Sequence, residues 1–215
     1  MNKVILLLII ANVLVSYKGF KDVVFFDRYK FQIKKIINGE KLRMLTSGFL
    51  HADWMHLGFN MYAFYLFGKV VLVNFGTTYF LFIYIGSLLA GSVYTLYQHK
   101  KDYYYSAVGA SGAVSGIVFS AIILYPNMTL IMFPIPLPLP GYVFGVGYLL
   151  YSIYGMKNQV GNIGHSAHLG GAIGGYVLTI LLKPSVIENN TIMIGVIGVI
   201  IVSLFLFSGK LKIKQ

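Results

Sequence analysis

Apolar segments long enough to approach or reach the thickness of a lipid bilayer recur along the whole chain, separated by more polar segments. The first of them is apolar apart from Asn12 and Ser16. This pattern predicts an all-α, polytopic membrane protein with seven transmembrane helices. The predicted spans are Val4–Tyr17, His56–Phe75, Thr78–Tyr97, Ala107–Tyr125, Gly141–Gly155, Ile163–Leu182 and Ile192–Phe207.

The connection between the first two spans, residues 18–55, is much longer than the others. Its first part, residues 18–43, holds eight of the 17 Lys and Arg residues, and these interleave with apolar side chains. Such a mixture is typical of a segment that lies in the headgroup layer of a membrane.

Two further segments complete the organisation of the chain. Residues 126–140 contain five of the six prolines, which predicts a stiff connector at the interface. We interpret residues 1–182 as a core of six spans and residues 183–215 as a turn, an extra transmembrane helix and a basic tail.

Composition supports the same class of protein. The chain has 215 residues, of which 57% are hydrophobic and 11% charged, and its mean hydropathy is +0.75. The formal net charge of +11 favours anionic lipid headgroups as partners, because no pattern of a nucleic-acid-binding protein is present. The chain has no cysteine, which excludes disulfides, a thiol nucleophile and cysteine-bound metals.

Small residues dominate the stretch 108–116 at the start of the fourth predicted span, where Ser111 lies between Gly109 and Gly112. One interpretation is helix packing, since small residues let a neighbouring helix approach closely. The other is a nucleophile, because the glycines give a substrate access to the hydroxyl. This stretch alone leaves both interpretations open.

The order of the spans favours the nucleophile. The second, fourth and sixth spans run in the same direction, and each carries a polar residue near its start: His56, Ser111 about one turn in, and His168 about one turn in. These three side chains are therefore expected at similar depth. Polar groups in the membrane interior usually mark function.

The chemistry of these residues fits acyl transfer. Ser111 and His168 supply a nucleophile and a general base. His56 and Asn60 are four residues apart and share one helical face. Together with the backbone N–H of Ser111 they offer hydrogen-bond donors for an oxyanion.

The missing residue types exclude other enzymes. All six Asp and Glu residues fall in loops or at the edges of spans, which excludes a paired-aspartate protease and disfavours an ion-coupled transporter. A metalloprotease would need a His-Glu-x-x-His motif, which is absent. No carboxylate is placed to orient His168, so the catalytic unit would be a dyad, with no metal or other cofactor.

At this point the chain resembles the rhomboid family of intramembrane serine proteases, from roughly residue 40 to residue 175. Three motifs carry the resemblance in the order that the family has them. They are Gly-x-Ser-Gly at 109–112, His-x-x-x-Asn at 56–60, and Ala-His-x-x-Gly-x-x-x-Gly at 167–175.

The resemblance implies a six-helix core with Ser111 as nucleophile and His168 as base, and an oxyanion hole made by Asn60, His56 and the Ser111 amide. It also implies structural support from several further residues. Of these, Arg43 matches the arginine of a Trp-Arg motif in the first loop, Gly109 and Gly112 flank the serine, and Gly171 and Gly175 let the sixth span press against the fourth.

The chain departs from the family pattern at two positions. Leu42 replaces the tryptophan of the Trp-Arg motif. Ser115 stands where many relatives have an aromatic residue that stacks on the base. We interpret Ser115 as a packing residue, with a hydrogen bond to His168 as the alternative, and His165 as a histidine at the edge of a loop. Since loop histidines need no special explanation, His51 is given no role.

The expected function is therefore a serine endopeptidase that cleaves transmembrane segments of single-span or polytopic membrane proteins. The alternative is a non-catalytic protein that binds unstable transmembrane helices. The plasma membrane is the expected location. The family usually opens its site to the outside or lumen, whereas the loops on the catalytic side hold most of the positive charges, which would place that side in the cytoplasm.

Overall fold

The structure is a computed structural model that describes residues 2–132, 135–161 and 163–208, and this part of the chain is mainly helical. In chain order the helices are α1 (Lys3–Lys21), α2 (Val23–Tyr29), α3 (Ile33–Ile37), α4 (Arg43–Thr46), α5 (Trp54–His99), α6 (Ser111–Leu124), α7 (Gly141–Asn158), α8 (His165–Leu182), α9 (Val186–Asn189) and α10 (Thr191–Ser208), with a 3₁₀ turn at Ser47–Phe49. The strands are β1 (Phe31–Gln32), β2 (Ser106–Ala107), β3 (Thr129–Met132) and β4 (Ile135–Pro140). The basic tail after residue 208 lies outside the described residues.

Helix α5 consists of two arms that fold back on each other. Gly76 separates them with φ 70° and ψ 174°, a backbone conformation that glycine tolerates and other residues rarely adopt. The Phe64 ring of the first arm (54–75) lies 5.9 Å from the Phe80 ring and 5.1 Å from the Tyr84 ring of the second arm (77–99). The two arms correspond to the second and third predicted spans.

Helix α6 lies at the centre of the molecule. Every residue from 112 to 123 is buried, which is what a helix that is apolar on all sides requires. Its packing partners are the arms of α5 and helix α8. At the far end of α6 from Ser111, the Ser120 hydroxyl lies 2.6 Å from that of Thr179 in α8, so the polar residue inside the apolar run is hydrogen-bonded between helices.

The predicted start of the fourth span at Ala107 is wrong by one turn. Ala107 belongs to strand β2, and Ser111 is the first residue of α6 and not about one turn into it. The reason is Gly109, whose φ of 130° lies in the left-handed region and cannot continue a helix.

The long first loop is largely ordered. It contains α2, α3, α4 and the 3₁₀ turn, and its strand β1 pairs antiparallel with β2 through Phe31 opposite Ala107. Asp22 ends α1 and also caps α2, accepting a hydrogen bond of 2.9 Å from the N–H of Phe25. The loop is therefore attached to the segment that leads directly into Ser111.

The proline-rich segment forms a hairpin of strands β3 and β4, where the sequence predicted only a stiff connector. Leu130 pairs with Leu139, and Thr129 with Pro140. Pro138 and Pro140 lie opposite Ile131 and Thr129, so their missing N–H groups face the same side of β4, and Leu139 between them keeps its N–H for the partner strand. The register shifts between Ile131 and Met132.

By length and composition, α1 and α5 are apolar enough to cross a membrane, and α5 is 46 residues long because it contains both arms. Shorter apolar helices occur at Ser111–Leu124 and Thr191–Ser203. Large apolar side chains such as Leu7, Val73 and Leu181 are more than 60% exposed, which a bilayer would cover.

Candidate active site

Ser111 lies at the amino end of α6, at the end of a turn that the first loop holds in place. The Gly109 N–H donates to the carbonyl of Ser47 at 3.0 Å, and the Ala110 N–H donates to Nε2 of His51 at 3.3 Å. Because the first amides of a helix have no partner within it and carry the positive end of the helix dipole, this position suits a developing negative charge.

Helices α6 and α8 approach each other closely at the level of Ser111 and His168. A Cβ on Gly171 would overlap the backbone carbonyl of Gly112, and a Cβ on Gly175 would overlap that of Gly116. A Cβ on Gly112 itself would lie 3.3 Å from the Ala167 carbonyl. The neighbours of Ser111 and His168 in sequence are therefore in direct contact.

A cavity of about 1000 Å³ opens between these helices. Ser111 and His168 line it together with His56, so the three side chains expected at similar depth share one cavity, and Asn60 lines it as well. Aromatic residues of the first arm and of α7 form much of the remaining wall, including Phe59, Phe67, Phe144 and Tyr148.

The side chains of His56 and Asn60 both line the cavity. A Cβ on Gly109 would lie 2.8 Å from His56 Nε2 and 3.5 Å from the Ser111 hydroxyl, so the imidazole faces the serine turn. A long contact of 3.5 Å from the Ala52 N–H to His56 Nδ1 favours the tautomer with hydrogen on Nε2. Asn60 Nδ2 donates to the His56 carbonyl at 2.9 Å and has a second hydrogen to offer.

The imidazole of His168 lies parallel to the ring of Tyr148 in α7, with 5.9 Å between ring centroids and 17° between planes. The ring of His165 also lies near that of His168, edge-on, with 6.3 Å between the ring centroids. His165 is the first residue of α8, but it is 4% exposed and thus more buried than a loop-edge histidine would be. Its Nε2 bonds the Val160 carbonyl at 3.0 Å.

Ser115 is buried, as a packing residue would be, but its hydroxyl also makes two hydrogen bonds. It donates to the Ser111 carbonyl at 2.7 Å, and it lies 2.6 Å from the Tyr148 hydroxyl. This partner differs from His168, the one that the sequence offered as an alternative.

Arg43 is buried within the first loop and connects two of its helices. Its Nη1 donates to the carbonyls of Asp27 and Lys30, at 2.7 and 3.0 Å, and its Nε bonds Glu40 at 2.6 Å. The hydrogen bond from Arg43 lowers the pKa of the Glu40 carboxyl. Leu42, which replaces the tryptophan of the family motif, is 77% exposed.

His51 is a residue that the sequence interpretation missed. It is fully buried, and its two ring nitrogens connect α1 to the serine turn: Nδ1 lies 2.9 Å from the Ser16 hydroxyl, and Nε2 accepts from Ala110. Ser16 in turn donates to the Phe49 carbonyl at 3.0 Å, so Nδ1 carries the hydrogen. Burial lowers the pKa of His51 to about 3. The sequence feature that could have pointed to this role of His51 is Ser16, a polar residue in an apolar span.

Tyr148 was missed as well, because nothing in the sequence connects it with His168 or Ser115.

For metals, no group of three or more His, Cys, Asp or Glu side chains within the described ranges is placed to bind an ion.

Comparison with known proteins gives a consistent result. A family model described as the rhomboid domain matches residues 38–185. "RHOMBOID-like protein 12, mitochondrial" of Arabidopsis thaliana is 31% identical over 79% of this chain and 55% of its own length. "Rhomboid protein 1, mitochondrial" of Saccharomyces cerevisiae is 29% identical over 70% of this chain and 44% of its own length. "Rhomboid protease AarA" of Providencia stuartii is 25% identical over 80% of this chain and 67% of its own length.

These relatives also differ from the chain in length. The chain spans about half the length of the first two. Their names place those two proteins in mitochondria, so they do not support the plasma membrane that the sequence analysis expected.

Proposed function

This chain belongs to the rhomboid family, which consists of integral membrane proteins, and we propose that it is an intramembrane serine endopeptidase acting on transmembrane segments of membrane-protein substrates. The observation that carries the proposal is the shared cavity. Ser111, at the amino end of α6, and His168, one turn into α8, both line it, and the two helices touch at the adjacent residues Gly112 and Ala167.

In the proposed reaction the Ser111 hydroxyl attacks the carbonyl carbon of the scissile peptide bond while His168 takes its proton. The imidazolium then gives that proton to the leaving amine, and an acyl-enzyme remains on Ser111. Water, activated by His168, hydrolyses the ester and restores both residues. No carboxylate takes part in this mechanism: Asp53, which also lines the cavity, accepts a hydrogen bond from the His56 N–H.

The negative charge on the carbonyl oxygen would be stabilised by three donors. These are the backbone N–H of Ser111 at the start of α6, Nε2–H of His56 and the second hydrogen of Asn60 Nδ2. Such donors contribute most when they are fixed in advance. His56 and Asn60 lie in the first turns of α5. This end of the helix is fixed, because the Asp53 carboxylate caps it by accepting a hydrogen bond of 2.8 Å from the His56 N–H.

We propose the following membrane arrangement for the chain. Helix α1, the two arms of α5, α6, α7 and α8 form a six-span core within residues 1–182, and α10 adds a seventh span within residues 183–215. The apolar lengths of α1 and of each arm support this arrangement. The first loop then lies at the same side as the mouth of the cavity, with its cations near lipid headgroups.

A substrate helix hides its own carbonyls in backbone hydrogen bonds, so it must unwind locally before Ser111 can attack. Helix-breaking or small residues near the cleavage point would lower the cost of unwinding. The expected substrates are therefore transmembrane segments of single-span or polytopic proteins that carry such residues.

The test is cleavage of a generic single-span substrate by purified protein in liposomes. Ser111→Ala and His168→Ala should each reduce cleavage by more than about 100-fold. Ser106→Ala is the matched control, because this exposed serine lines the same cavity and has no proposed role; it should cleave like the wild type. Unchanged cleavage by Ser111→Ala would refute the proposal. Binding of substrate without cleavage by the wild type would favour the non-catalytic alternative.

A further inference from the structure

The general base of the proposed dyad is held from a helix other than its own. Tyr148 lies in the middle of α7, and its ring lies beside that of His168 in parallel, offset orientation, with 5.9 Å between centroids and 17° between planes. A parallel neighbour at this distance restricts rotation of the imidazole. The sequence had left open how His168 keeps its orientation, since Ser115 is too short to stack on it.

The position of the Tyr148 ring is itself fixed by α6. A serine hydroxyl has one hydrogen, and that of Ser115 goes to the Ser111 carbonyl. The 2.6 Å contact between the two hydroxyls is therefore a bond that Tyr148 donates and Ser115 accepts. The carbonyl at the end of this chain belongs to the nucleophile.

Two further rings contact Tyr148, which also lines the cavity. The ring of Phe119 in α6 lies 5.8 Å away and that of Phe144 in α7 lies 5.9 Å away. Both arrangements are tilted, which aromatic pairs commonly adopt. The tyrosine thus has one defined place, between the nucleophile helix and the base.

We propose that Tyr148 is a positioning residue that holds His168 towards Ser111, with Ser115 as its anchor on α6. This inference rests on the proposed function. It has one consequence for the whole site: the orientation of the base depends on where α7 sits, because α7 supplies the ring. A displacement of α7 away from α6 would release the base without any change in α6 or α8.

The experiment separates positioning from simple packing by two readouts. The first is the rate at which a fluorophosphonate labels Ser111 in the purified full-length protein, which needs the dyad but no substrate helix. The second is the division of any loss between kcat and KM. A positioning role predicts that labelling and kcat fall together while KM is unchanged.

Tyr148→Leu removes the ring and keeps most of the volume, and it should reduce both labelling rate and kcat by about tenfold. Tyr148→Phe keeps the stacked ring and loses only the hydrogen bond, so it should lose about threefold. Ser115→Ala should show the same threefold loss in labelling rate and kcat. The double variant Ser115→Ala/Tyr148→Phe should lose no more than either single variant, because both substitutions remove the same hydrogen bond.

Tyr151→Leu is the matched control. Tyr151 lies one turn further along α7 and is 47% exposed, with its ring against His165 instead of His168. It should label and cleave within about twofold of the wild type.

Three outcomes would overturn the inference: wild-type labelling by Tyr148→Leu, a loss confined to KM, or an equal loss in Tyr151→Leu. A wild type that neither cleaves nor labels would instead refute the proposed function, so the two failures are distinguishable.

Discussion

His51 connects helix α1 to the turn that precedes Ser111, from outside the cavity wall. It contacts α1 through Ser16 and the serine turn through Ala110, and its ring lies 5.0 Å from that of His56. All of its hydrogen-bonding capacity is used in the neutral form, as Nδ1–H donates and Nε2 accepts. A proton on Nε2 would remove the acceptor for Ala110.

This network predicts a pH dependence of stability. The pKa of His51 is about 3 in the folded protein and about 6.5 when unfolded. The unfolded state therefore binds more protons between these values, so the contribution of neutral His51 is complete above pH 6.5 and is lost as the pH falls towards 3. His51→Gln should be less stable than the wild type by about 1–3 kcal/mol at pH 7.5, and the difference should shrink at pH 4.5.

Thermal unfolding in detergent at the two pH values measures this difference directly. Comparison of wild type with variant at each pH cancels the contributions of the other histidines. A difference that stays constant between pH 7.5 and 4.5 would show that the protonation of His51 does not affect folding.

At the scale of elements, the contact between α6 and α8 is what brings Ser111 and His168 to one cavity. It has no room for side chains, since a Cβ on Gly171 or Gly175 would enter the backbone of α6. The crossing therefore depends on glycine more than on hydrophobic side chains, which is the usual solution where lipid removes the hydrophobic drive for association.

We predict that Gly171→Ala forces α6 and α8 apart and lowers the free energy of unfolding by about 1–3 kcal/mol. Cleavage should fall by more than the unfolded fraction of the variant alone would explain. Gly147→Ala is the matched control, because a Cβ on this glycine of α7 meets nothing within 4 Å. Stability in detergent and cleavage in liposomes measure both effects. Equal behaviour of the two variants would contradict the role given to the glycine contact.

The helices and the cavity-lining residues could be predicted from the sequence, but the start of α6 and the strands β3 and β4 could not. Each long helix follows from an apolar run, and the three motifs identified residues that line one cavity. The start of α6 was misplaced because one glycine at 109 changed the backbone direction within an otherwise apolar run. The pairing of β3 with β4 was missed because prolines usually argue against a strand. In β4 the prolines are spaced two residues apart, which leaves the N–H groups between them for the partner strand.

Contacts between distant segments were beyond prediction. The partners Tyr148 and Ser115 are 33 residues apart, and His51 and Ala110 are 59 residues apart. Neither pair belongs to a common motif, so only the packing of α7 and of the first loop brings them together. The residues missed in this way are those to which we assign a positioning role, not the proposed dyad itself.

For the whole molecule, the proposed topology places most positive charges at the mouth of the cavity. Only Lys3, Lys69 and Lys183 belong to the other side. The positive-inside tendency would put the mouth in the cytoplasm, whereas the family resemblance implies a mouth that opens to the outside or lumen. We propose the second orientation, with the cations of residues 18–55 as anchors in the headgroup layer.

A reporter enzyme that is active only in the cytoplasm, fused after Gln215, tests this orientation, since the proposed seventh span returns the chain to the side of the mouth. The fusion should be inactive, and a second fusion in the turn at residues 184–190 should be active. The reverse pattern would place the mouth in the cytoplasm.

Covalent labelling shows whether Ser111 is a nucleophile activated by His168. The purified wild type is treated with a fluorophosphonate, and the modified residue is located by mass spectrometry. We expect modification at Ser111 and a rate reduced by more than about 100-fold in His168→Ala. Modification of a different serine, or an equal rate in His168→Ala, would contradict it.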